Sequence, residues 1–163
     1  MKVDVNGVVH EISDANGLRS VLRVLREEVG VTGVKAGCQE GSCGTCTVLV
    51  DGQPRRSCLI PAALAAGTAI TSIEGIGDPA NPHPVQHAFH EHYAAQCGYC
   101  TPGMILAVVA LLGRSAQPTE AELVDALEGH VCRCTGYVKI LDAIRAVGVE
   151  TERSAEDTGE VTQ

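Results

Sequence analysis

Tryptophan is absent from this 163-residue chain, and Phe89, Tyr93, Tyr99 and Tyr137 are its only aromatic residues. Basic residues are also scarce, with 12 Lys and Arg against 20 Asp and Glu and a net charge of −8. A nucleic-acid binder needs a basic face and stacking platforms, and this composition provides neither. No apolar run approaches the roughly 18 residues of a membrane span. The opening segment Met1–Gly7 has no apolar core of the kind a secretory leader carries. Cysteine, by contrast, is abundant at 8 residues. Without a sign of export the chain is expected in the cytoplasm, where thiols are kept reduced, so metal ligation is the better reading than a disulfide framework.

With so few aromatics the interior must be built from Val, Ile, Leu and Ala. Divided into halves of about 75 residues, such a chain has cores worth only a few kcal/mol each. A metal that contributes folding free energy directly would support each half, and the cysteines divide four and four.

The pattern along the chain predicts an α+β first half. Lys2–Val5 and Val8–Ile12 read as strands about an Asn6-Gly7 hairpin turn. Leu18, Val21, Leu22 and Leu25 share one helical face, with Asp14 or Asn16 as cap and Gly30 as its stop. Strands follow at Cys46–Val50, Arg55–Ile60 and Ala69–Ile73, with a short helical piece at Pro61–Ala65. Residues 1–75 are therefore expected to form one domain and 76–84, rich in Gly and Pro, a linker. Residues 85–149 then read as all-α, in four helices marked by Val85–Tyr93, Thr101-Pro102, Thr119-x-x-Glu122 and Tyr137–Ile144. The acidic stretch 150–163 is expected to be disordered.

Cys38, Cys43, Cys46 and Cys58 have the plant-type 2Fe–2S spacing in their first three members. Gly37, Gly41 and Gly44 between them allow tight turns that bring N–H groups toward sulfur, which stabilises a dianionic cluster without adding formal charge. A tetrathiolate zinc site is the competing reading, although zinc ribbons more often show two CxxC knuckles. The second group, Cys97, Cys100, Cys132 and Cys134, lies at the ends of two helical hairpins. On spacing alone zinc and iron are equally served, and a redox CxxC lacks the βαβ context it would need. A Rieske centre is excluded for want of paired His ligands. His87, His90 and His92 are weighed as ligands and read as solvated instead.

Together, Gly37–Val48, Gln96-Cys97-Gly98-Tyr99-Cys100-Thr101-Pro102-Gly103-Met104 and Cys132-Arg133-Cys134-Thr135-Gly136-Tyr137 resemble the small iron–sulfur subunit of the xanthine oxidase family of molybdenum hydroxylases. The resemblance covers about residues 1–147. It implies a ferredoxin-like β-grasp domain with one 2Fe–2S cluster, then a four-helix-bundle domain with a second. It implies all eight cysteines as ligands, with Gln96 and Cys134 approaching the pterin of a molybdenum cofactor. That cofactor would sit in a large molybdenum-binding subunit, and a medium subunit with FAD is the expected electron acceptor. The chain then reads as a stand-alone electron-relay subunit. A freely diffusing two-cluster ferredoxin is the alternative, disfavoured by a second domain that a simple carrier does not need.

Overall fold

The computed structural model describes residues 1–157. β1 (Lys2–Val5) and β2 (Val8–Glu11) form an antiparallel hairpin. Asn6 and Gly7 turn it at φ 54° and 79°, the paired positive values a type I′ turn demands. β3 (Thr47–Val50) and β4 (Gln53–Arg56) repeat the device around Asp51 and Gly52. β5 (Ala69–Thr71) runs parallel to β1 and antiparallel to β3, giving the sheet order β2-β1-β5-β3-β4. α1 (Val21–Val24), prolonged by a π turn at Leu25–Val29, buries Val21, Leu22 and Leu25 in one cluster with Val3, Val5, Val48 and Ile70.

Leu18, expected inward, is 94% exposed. Ser20 is held extended by a β-bridge to Pro61, so winding starts at Val21 and the Ser20 hydroxyl caps the helix through the Arg23 N–H. Asp14 and Asn16 belong to a separate 3-10 turn. Cys58, expected on a strand, also lies elsewhere. β4 stops at Arg56, and a 3-10 turn over Ser57–Leu59 follows. The Ser57 N–H and hydroxyl both bond the Cys46 carbonyl, at 3.2 and 2.7 Å, and curl the chain toward Cys46.

The second half contains α2 (Pro84–Glu91), α3 (Thr101–Leu112), α4 (Glu120–Leu127) and α5 (Val138–Asp157). α3 is apolar on nearly every face, as a helix buried all round must be. Met104, Ile105, Val108 and Leu111 pack with residues of α2, α4 and α5, while Leu106 and Ala110 meet Leu49 of β3. α3 thus joins the helices to the sheet. Cys100, not Thr101, precedes the first helical residue. Tyr93, expected on the inner face of α2, is 82% exposed because that helix ends at Glu91 and the chain turns at Tyr93 with φ 53°.

α5 continues to Asp157, so residues 150–157 are helical rather than unstructured; a helix already nucleated at Val138 extends one hydrogen bond per added residue. The expectation for residues 158–163 lies outside the described residues. No helix among the described residues is long and apolar enough to cross a membrane.

Candidate metal centres

The loop between α1 and β3 is shaped by left-handed backbone at Gln39, Gly41 and Gly44. It folds Cys38 and Cys43 against each other, each backbone N–H donating to the other's Sγ at 3.3 Å. The Glu40 N–H donates to Cys38 Sγ at 3.4 Å, and Thr45 Oγ1 lies 3.2 Å from Cys43 Sγ. Hydrogen bonding from Ser42 and from the Glu40 N–H lowers the Cys38 pKa to about 6. A Cβ on Gly37 would fall 2.7 Å from Cys43 Sγ, so only glycine leaves the sulfur its room. Cys46 and Cys58 form the neighbouring pair. Burial, reinforced by the Cys46 thiol beside it, pushes Cys58 up to about 11.

The second group forms two pairs as well. Cys134 Sγ and Cys97 Sγ are 3.6 Å apart and exposed. Cys100 is buried, and burial together with the adjacent Cys132 pushes it up to about 12. Burial works against ionisation of Cys132 too, but hydrogen bonds from Thr135, the Cys134 N–H and Cys100 together offset it. The Thr135 hydroxyl and N–H lie 3.0 and 3.4 Å from Cys132 Sγ, and that thiol is held below its ordinary value.

Thiols this close do not readily ionise together unless a cation takes up the charge. A tetrathiolate zinc needs four sulfurs about one point at roughly 2.3 Å. Pairs set side by side fit a two-iron cluster instead, where four cysteines are shared between two metals. The donor set therefore fits 2Fe–2S at both centres. His87 and His90 are exposed, His92 is half-buried, and His87 Nε2 lies 3.9 Å from Glu91.

Gln96 and Cys134, expected at a pterin, do share an exposed edge with Cys97.

The centres meet where the halves join. The Val131 N–H donates to the Cys43 carbonyl at 2.9 Å, linking a residue beside Cys132 to a ligand candidate of the other group. Tyr99 Oη donates to the Ala36 carbonyl at 2.9 Å. His130 is buried at the same seam, its Nε2 3.0 Å from Thr47 Oγ1 and 3.1 Å from Arg56 Nη1. Burial, then the Arg56 charge, pushes its pKa down to about 4, so the ring is neutral and accepts from Arg56. Arg56 also donates to the Gly129 carbonyl at 3.0 Å. Nothing in the periodicity marks His130, because its role depends on Thr47 and Arg56 in the other half.

Two sequence-family models match. One described as a 2Fe-2S iron-sulfur cluster binding domain covers residues 3–70, and one described as a [2Fe-2S] binding domain covers 72–145. The chain is 46% identical over 153 residues to a nicotinate dehydrogenase subunit of Pseudomonas putida, covering 94% of this chain and 96% of that one. It is 43% identical over 145 residues to the nicotinate dehydrogenase small FeS subunit of Eubacterium barkeri, covering 89% and 92%. In structure it matches a chain of quinoline 2-oxidoreductase from Pseudomonas putida 86 with a TM-score of 0.84 and 38% identity, covering 99% and 97%.

Proposed function

From the chain's membership of the small 2Fe–2S subunit family of xanthine-oxidase-type molybdenum hydroxylases, we infer that it is the electron-relay subunit of such a complex, with substrate chemistry on a separate large subunit. Eight cysteines drawn into four pairs at two adjoining centres carry this reading. Cys38, Cys43, Cys46 and Cys58 hold one 2Fe–2S cluster and Cys97, Cys100, Cys132 and Cys134 the other. When bound, these clusters supply one-electron carriers between a two-electron oxidation and its acceptor.

The chain's own residues do the rest. The N–H groups on Cys38 and the Thr135 hydroxyl on Cys132 favour the anionic sulfur. The exposed Cys97–Cys134 edge, with the exposed Gln96 beside it, suits contact with the pterin in the large subunit. An FAD-bearing subunit is the acceptor this reading favours, and the cytoplasm its location. The sheet order with α1, and then α2–α5, support a ferredoxin-like β-grasp of residues 1–75 followed by a four-helix bundle of 85–149, with 76–84 between them.

Carefully prepared native protein is expected to contain about four irons and four acid-labile sulfides per chain and to co-purify with a molybdenum subunit. Iron near half that value, with zinc making up the balance, would overturn the assignment.

Gln96→Ala is expected to leave both cluster spectra unchanged while weakening retention of the partner or slowing substrate-driven reduction, because an amide partner left unsatisfied in an interface costs about 1–3 kcal/mol. Altered spectra in the isolated subunit would give Gln96 a loop-ordering role instead.

A further inference from the structure

Tyr137 stands just before α5 in left-handed backbone, φ 67°, a conformation a bulky residue keeps only when its surroundings enforce it. Its hydroxyl ties it to the preceding loop. Tyr137 Oη accepts the Cys132 N–H at 2.9 Å and donates to the His130 carbonyl at 2.8 Å. That carbonyl belongs to the same peptide unit as the Val131 N–H, which donates to the Cys43 carbonyl at 2.9 Å. The phenol therefore grips the peptide units on both sides of Val131. It closes an unbroken chain of hydrogen bonds from Cys132 through Tyr137 and the His130–Val131 peptide to Cys43. Bonds arranged in this way polarise and strengthen one another.

We propose that Tyr137 is a positioning residue for electron transfer between the two centres, holding the Cys132–Val131–Cys43 connection in register. The inference rests on the two-cluster reading above and adds a residue to it. One electron crosses the connection at a time, with no bond made and no proton moved.

The test is Tyr137→Phe in the cluster-loaded full-length chain, with Tyr99→Phe as control. Tyr137→Phe removes both hydroxyl bonds of Tyr137 and Tyr99→Phe the single bond to Ala36, but only Tyr137 lies on the connection. After injection of a single electron, redistribution between clusters should slow several-fold in Tyr137→Phe and stay near wild type in Tyr99→Phe. Amide exchange at Val131 and Cys132 should quicken by roughly tenfold, the worth of one hydrogen bond. Unchanged redistribution, equal slowing in both variants, or loss of the second cluster from Tyr137→Phe would each overturn the role. A wild-type chain lacking two clusters would instead sink the functional reading itself, and iron analysis separates the two failures.

Discussion

Cys100→Ser is expected to abolish one of two electron paramagnetic resonance signals, halve the iron content and leave the other signal intact. Cys100 sits at the start of α3, buried beside Met104 and Ile105 in the core of the helical half. Its thiol is pushed up to about 12 by burial and by Cys132, so it stays neutral until a metal draws off the proton. Serine holds its own proton far more tightly and leaves Cys132 without its pair. Because metal binding and folding are linked, the loss should also lower the melting temperature of the helical half. The sheet half has its own core around Leu22, Val48 and Ile70 and should keep its cluster. Cys43→Ser should give the reverse pattern. It should do so without severing the seam, since Val131 bonds the Cys43 carbonyl and not its sulfur. Loss of both signals from either substitution would mean that the halves do not fold around their metals independently.

The ligand loops are legible in the sequence because their logic is local. The spacing of Cys38, Cys43 and Cys46, with glycines between them, states the turn. The hairpin signal at Asn6-Gly7 and the capping box at Thr119 and Glu122 succeed for the same reason. The pairing of Cys97 with Cys134 and of Cys100 with Cys132 is not local, since it depends on how two helical hairpins meet. Leu18 misleads because periodicity cannot register the bridge from Ser20 to Pro61 that delays the helix. His130 and Arg56 escape notice altogether, because each is ordinary in its own segment and acquires a role only across the seam. Glycines divide along the same line. Positive φ at Gly41 or Gly44 is foreseeable from a turn, whereas what a side chain there would strike is not.

That distinction yields a second large effect. Gly44 and Gly103 face each other where the first cysteine loop meets α3. A Cβ on Gly103 would lie 2.4 Å from the Gly44 carbonyl oxygen, and a Cβ on Gly44 would lie 2.6 Å from His130 Cδ2 and 2.7 Å from the Gly129 carbonyl oxygen. Backbone cannot retreat as a flexible side chain can, so Gly103→Ala should cost about 1–3 kcal/mol of overpacking. Gly44→Ala should cost more, because alanine would also be forced to keep φ near 75°. Gly67 isolates that backbone contribution, having φ 79° with nothing within 4 Å of its missing Cβ. Thermal unfolding of the three variants then separates strain from contact. Gly67→Ala should lower the melting temperature least, and Gly44→Ala should exceed it by the overpacking alone, a further few degrees for a chain of this size. In the loaded protein Gly44→Ala and Gly103→Ala should both slow electron redistribution between the centres, since the halves must part to admit the methyl group, while Gly67→Ala should not. If Gly44→Ala proved no more damaging than Gly67→Ala, the two halves would not be held at the separation on which the connection between the centres depends.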